Sequence, residues 1–115
     1  ALAVFNRAVR RDKHNAYAYC RLGMALGRVS VMLEVPEYAK RAASTLKSAI
    51  KIDPKCGEAY LGLGNLYALN GEMKQAKIMY QCAKENVNGD IRLLSRIQYL
   101  EAKLDAKISA ATSSN

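Results

Sequence analysis

The chain has 115 residues, a formal net charge of +8, half its residues hydrophobic, three cysteines and one histidine. That length bounds it to one domain or a piece of one, with enough apolar matter for a core. No run reaches the ~18 apolar residues a membrane span needs, and Cys20, Cys56 and Cys82 are too few and too scattered for a disulfide framework.

The expected setting is therefore intracellular and soluble, cytoplasmic or nuclear, with no membrane partner. The opening ALAVFNRAV has neither a methionine nor a charged-then-apolar leader, and is expected to be the start of an excised piece of a longer protein. The basic excess is uneven: residues 1–55 hold eleven Lys/Arg against four Asp/Glu, and the remainder seven against six. Such a field favours an acidic partner.

Alanine, leucine and lysine dominate, which favours helix throughout. The first helix is expected over 1–12, with Phe5 and Val9 facing a helix that the chain lacks. The polar turn RRDKHN leads to a second helix over 15–32. Val35–Pro36 breaks it, because a residue before proline avoids the helical region and proline suits a first helical turn. The third helix, 37–52, stops at Asp53–Pro54 for the same reason.

A fourth helix covers 57–69. The NGE turn follows, with Gly71 free to adopt a left-handed conformation, and leads into a fifth helix over 73–86. NVNGD is the next turn, with Asp90 as N-cap of a sixth helix over 90–109. Leu93, Ile97, Leu100 and Leu104 give that helix one apolar stripe; Arg92, Arg96, Tyr99, Lys103 and Lys107 give it a second, basic one. Residues 110–115 are expected to be a disordered tail.

A pattern of small, large and small residues recurs along these elements. Ala42, Leu46 and Ala49 stand 34 residues before Ala76, Tyr80 and Ala83, and Ala1, Phe5 and Ala8 stand 41 before Ala42, Leu46 and Ala49. YCRLGMAL and YLGLGNLY are also 41 apart. The extra seven residues fall around RVSVMLEVPEY. Two added turns shift the phase of a helix by only about 20°, so its buried face is kept.

These residues resemble the tetratricopeptide repeat, a 34-residue helix–turn–helix unit with the pattern W-x2-L-G-x2-Y, then A-x3-F, then P. Residues 57–90 follow it with Tyr60, Leu63, Gly64, Tyr67, Ala76, Tyr80 and Ala83, with Tyr60 in place of tryptophan and Asn88 in place of proline. Tyr19, Leu22, Gly23, Ala42, Leu46, Ala49 and Pro54 follow it in the preceding unit, where Leu26 replaces the tyrosine.

The resemblance implies an all-α solenoid of antiparallel helix pairs in a right-handed superhelix. Its units would be 1–13, the second helix of an incomplete repeat; 16–56, a repeat with a seven-residue insertion; 57–89, a repeat; and 90–109, a capping helix. At the open N-terminal end it implies missing repeats or a second copy paired through Phe5 and Val9. Gly64 matches Gly23, where a side chain would strike the partner helix near Ala76 and Tyr80; Gly62 is not demanded by the pattern.

The resemblance further implies a protein–protein interaction scaffold, holding a peptide or helix of a partner in a concave groove lined by the first helix of each repeat. The lining residues would be Tyr17, Cys20, Arg21, Met24 and Arg28, then Glu58, Leu61, Gly62, Asn65 and Leu69, and from the last helix Arg92, Ser95, Arg96, Tyr99 and Lys103. Some relatives clamp the acidic tails of Hsp70 and Hsp90 with lysines, asparagines and an arginine. Here Asn65 and Arg21 occupy clamp-type positions, but Tyr17, Leu61 and Gly62 stand where two lysines and an asparagine are expected, so that clamp is incomplete.

Catalysis finds no foothold in the sequence. His14 stands in a polar turn, no cysteine spacing fits zinc, and GLGNLYALNG lacks the lysine of a phosphate loop. Neither an enzyme nor a cofactor is expected. An RNA-binding helical repeat is the alternative, on a pI of 9.6 and on the arginine and tyrosine of the last helix.

Overall fold

Local chemistry sets where each helix begins and ends. In the computed structural model, which describes residues 2–113, these are α1 (Leu2–Arg11), α2 (Ala16–Leu33), α3 (Pro36–Ile52), α4 (Gly57–Leu69), α5 (Met73–Lys84) and α6 (Ile91–Ser113), with no strand among the described residues. Asn15 caps α2 by accepting the Ala18 amide (3.1 Å), and Asp90 caps α6 by accepting that of Leu93 (3.0 Å). Pro36 opens α3, where a missing N–H costs nothing. Gly71 turns α4 into α5 at φ +81°, and a side chain there would meet open space, so backbone conformation alone selects glycine.

Two boundaries differ from expectation. α5 stops at Lys84, where Asn86 folds its side-chain amide back onto the Cys82 carbonyl (2.8 Å). α6 runs on to Ser113, so 110–113 of the expected tail are helical; 114–115 lie outside the described residues, as does Ala1. Ile108 packs against the core beneath α6 and Thr112 donates to its carbonyl (2.9 Å), which carries the helix past the expected end.

The helices stack in two rows. Each packs on its neighbours in sequence, and α2, α4 and α6 also touch in series. Among the described residues α1, α3 and α5 make no such contacts with one another. The even row is therefore the tighter, inner one. The seven-residue surplus lies where α2 meets α3: α2 has 18 residues against 13 in α4, and α3 starts three residues earlier in its repeat than α5 does. The lengthened end of α2 carries Val31, Met32 and Leu33 into solvent.

Glycines hold the rows together. A Cβ on Gly23 of α2 would come within 2.6 Å of Leu46 Cγ, and one on Gly62 of α4 within 2.9 Å of Leu46 Cδ1. Leu46, from the outer helix α3, is thus wedged between two inner helices and is 1% exposed. Burying a leucine so completely stabilises by roughly 1.5–3 kcal/mol. One repeat on, the Tyr80 ring lies against Gly64, where a Cβ would approach ring carbons at 2.6 Å and the Ala76 carbonyl at 3.4 Å.

Phe5 and Val9 find part of their cover within the chain. Both are half-buried against Leu22, Leu26 and Ala42 of α2 and α3. The following inner helix covers them in part, and the strongly exposed large apolar residue of α1 is Val4.

Replacing Gly64 by leucine is expected to cost on the order of 1–3 kcal/mol by overpacking against the buried Tyr80 ring. Gly27→Ala has the opposite expectation: its Cβ would sit 3.6 Å from Leu66, an ordinary contact, and gain up to about 1 kcal/mol of helix propensity. Urea denaturation followed by circular dichroism checks both signs.

Candidate functional site

The inner row curves around a groove of about 510 Å³. Its floor is apolar. Met24, Val31 and Met32 of α2, Leu66 and Leu69 of α4, and Leu100 of α6 line it, with Leu46 and Tyr80 reaching through from the outer row. Gly23, Gly27 and Gly62 present bare backbone, which deepens the surface where α2 and α4 approach. The charged lining residues are Arg28, Arg96, Lys103 and Lys107, and no acid stands among them.

That one-sided charge follows from how α6 is oriented. Glu101 and Asp105 turn toward α5 and pair with Lys84 (3.0 Å) and Lys77 (3.2 Å). Such partly exposed pairs contribute up to about 1 kcal/mol each. They also take the acids of α6 away from the groove and leave Arg96, Lys103 and Lys107 along it. Sorting of charge between two faces of one helix thus fixes the sign of the potential over the groove.

Asn65 is the neutral polar group of the floor. Its Oδ1 accepts the Tyr80 hydroxyl at 2.7 Å, which fixes the rotamer and leaves the side-chain NH2 as a donor. The same contact ties an inner-row residue to the large side chain that fills the Gly64 slot. Burial and the nearby Glu101 raise the pKa of that phenol, so it stays a donor at neutral pH.

Of the residues expected from sequence, Met24, Arg28, Gly62, Asn65, Leu69, Arg96 and Lys103 line this groove. Tyr17, Arg21, Glu58, Leu61, Arg92 and Tyr99 do not. Leu61 is fully buried with Ile97 and Leu93, because α6 continues the inner row and lies over it. Arg21 is spent on its own helix: its Nε donates to the Tyr17 hydroxyl (3.0 Å) with the guanidinium 5.1 Å from the ring centre. Tyr99 carries Lys103 over its ring at 5.6 Å. Of the two other lining expectations, Cys20 is fully buried and Ser95 lies on the exposed side of α6.

Gly62 serves packing and groove at once, since its missing side chain admits Leu46 from below while its backbone lines the floor. Val31, Met32 and Lys107 are among the lining residues that the repeat pattern alone misses, as are Gly27, Leu66 and Leu100. Lys107 was visible as the end of the basic stripe of α6. Val31 and Met32 belong to the seven-residue surplus, which has no counterpart in the repeat to assign them a face.

The sequence matches the tetratricopeptide repeat family over residues 39–104. The chain belongs to this family. Among solved structures it is similar to a thermophilic tetratricopeptide repeat protein of Thermus thermophilus, with 27% identity and a TM-score of 0.73 over 91% of this chain and 57% of that one. It is also similar to YrrB, a tetratricopeptide repeat protein with an unusual peptide-binding site, with 28% identity and a TM-score of 0.67 over 88% of this chain and 50% of that one. The chain thus spans about half of their length. No curated protein matches the sequence.

The tetratricopeptide repeat is a protein–protein interaction scaffold and generally non-catalytic. No helix among the described residues is long and apolar enough to cross a membrane. Among the same residues no group of His, Cys, Asp or Glu is placed to hold a metal ion.

Tyr80→Phe keeps the ring in the Gly64 slot and removes only the hydroxyl that holds Asn65. A loss of about 1 kcal/mol in urea denaturation is expected, with the Asn65 side-chain amide signals broadened or shifted in the nuclear magnetic resonance spectrum.

Proposed function

We propose that the groove seats an amphipathic segment of a partner protein, apolar toward Met24, Leu66 and Leu69 and acidic where it meets Arg28, Arg96, Lys103 and Lys107. The observation that carries this reading is the pairing of an apolar floor with a charged lining that is wholly cationic. The volume is in the range of sites that bury a few side chains of a ligand. Burial of the segment's apolar face supplies affinity, and the cations set orientation and on-rate. Arg28 and Arg96 are suited to bidentate carboxylate contacts, and the Asn65 side-chain NH2 suits a backbone carbonyl of the bound segment.

The likeness to YrrB, itself a protein with a peptide-binding site, supports a peptide as occupant. The greater length of both similar structures supports reading this chain as one segment of a longer superhelix or of a multiprotein complex. The chaperone-tail reading has less behind it: Asn65 lines the groove, but Arg21 is engaged by Tyr17 and Leu61 is buried. RNA binding is also less well supported, since the exposed rings of Tyr17 and Tyr99 each carry a cation of their own helix rather than forming a stacking track.

The test uses a synthetic helix with a leucine face and glutamate flanks, titrated by fluorescence anisotropy. Arg96→Glu with Lys103→Glu is expected to weaken binding on the order of tenfold, the effect of about 1.4 kcal/mol. The same change of net charge at Arg10 and Arg92, both outside the groove, is expected to leave binding within about twofold. Equal losses in the two double variants would reduce the effect to net charge and remove the groove from the argument.

A further inference from the structure

The net charge of +8 is not spread over the molecule. The outer helices α1, α3 and α5 hold ten of the eighteen Lys/Arg and one of the ten Asp/Glu, so the rest of the chain nearly balances. On α5, the acids of α6 answer Lys77 and Lys84. On α1 and α3 nothing does. Arg7, Arg10 and Arg11 of α1 and Lys40, Lys47 and Lys51 of α3 are exposed, and none is in an ion pair among the described residues.

The lysines of α3 form a line. At about 100° per residue, Lys40, Lys47 and Lys51 fall within about 40° of one another, opposite the buried Ala42, Leu46 and Ala49. From Lys40 to Lys51 the line runs about 16 Å along the helix axis. With Ala43, Ser44 and Ser48 the three lysines line a shallow depression. Ser48 Oγ donates to the Ser44 carbonyl (3.2 Å), while the exposed Ser44 keeps its own hydroxyl for a ligand. Lys47 and Lys51 are also like charges one turn apart, which works against the helix. The acids of α3 and its C-cap, Glu37 and Asp53, stand at the two ends of the line.

We propose that this ridge, with the arginines of α1, holds the phosphate backbone of double-stranded nucleic acid without reading its sequence. A duplex carries one charge per about 1.7 Å of its axis, a continuous track that a row of ammonium groups meets at several points. Lysine suits it as a compact point charge that needs no bidentate partner. Single strands are held by stacking as well as by charge, and the aromatic ring of α3, Tyr38, is half-buried with the Arg41 guanidinium 6.0 Å from its centre. A lipid surface or an amphipathic peptide would add apolar contact, and α3 has no strongly exposed large apolar side chain. The ridge shares no residue with the groove lining, and each surface is tested by its own variants.

The experiment titrates the full chain into a fluorescein-labelled DNA duplex of mixed sequence, and into the RNA duplex of the same sequence, over a series of salt concentrations. Anisotropy is expected to give a Kd of about 1–100 µM at physiological salt, and a log–log salt slope of about −3 to −5 for three to six phosphates neutralised. DNA and RNA backbones offer the same chemistry, and the ratio of the two affinities names the source. Scrambling the duplex sequence is expected to change binding by less than about twofold.

Lys47→Glu with Lys51→Glu, helicity checked by circular dichroism, is expected to weaken binding about tenfold and to flatten the slope by about 2. Lys74→Glu with Arg92→Glu makes the same change of net charge away from the ridge, at exposed positions of α5 and α6, and is expected to stay within about twofold. Equal losses in the two variants, or a slope shallower than about −2 in the unmodified chain, would overturn the proposal. So would polyglutamate competing as well as unlabelled duplex, or phosphatidylserine vesicles binding the chain more tightly than either duplex.

Discussion

Everything in this molecule hangs on one recurring contact: a large side chain of an outer helix pressed onto a glycine of an inner one. Leu46 enters between Gly23 and Gly62, and Tyr80 lies on Gly64. Each glycine gives up about 1 kcal/mol of helix propensity relative to alanine. The approach it allows buries a whole leucine or tyrosine, worth more than that loss. Leu46 differs from Tyr80 in touching glycines of two successive inner helices. It therefore sets the distance within a repeat and the distance between repeats together, and through these the curvature of the groove wall.

The groove's chemistry is a second consequence of the same geometry. Because the inner row is tight, α6 must present an apolar stripe to α4 and α5, and Leu61, Leu93, Ile97 and Leu104 meet there. That fixes the rotation of α6 about its axis. With the rotation fixed, Glu101 and Asp105 fall against the lysines of α5, and Arg96, Lys103 and Lys107 fall along the groove. The cationic lining is thus imposed by core packing on the far side of the helix. A substitution that rotated α6 by a third of a turn would exchange acid for base along the wall without altering composition.

Much of the fold was legible in the sequence because its signals are local or periodic. Pro36, Gly71 and Asp90 each act through their own backbone or within one turn, and each stands where its chemistry placed it. The offsets of 34 and 41 residues located Leu46 and Tyr80 opposite their glycines. Legibility failed where the outcome depends on what lies above a residue. The spacing that puts Leu61 on the inner face is correct, yet α6 covers that face. Tyr17 and Arg21 are on an exposed side of α2, but they satisfy each other. Phe5 belongs to an outer helix, which packs against two inner ones in a repeat array, and the following one, α2, leaves it half-buried where Leu46 and Tyr80 are fully buried.

The seven-residue surplus shows why a helical solenoid can acquire a distinct binding surface without losing its core. Two turns added where α2 meets α3 leave the phase of both helices almost unchanged, so Gly23 and Leu46 stay in register. The added length projects beyond the neighbouring repeat, where α4 ends at Leu69. Residues there have no helix to pack on, and Val31 and Met32 are 55% and 79% exposed. Apolar side chains on a free helix end stabilise nothing in the isolated fold, and here they stand at the rim of a groove whose floor is already apolar. Clustered exposure of this kind marks an interaction surface far more often than scattered exposure does. The surplus therefore extends the apolar lining with Val31 and Met32 beside Leu69.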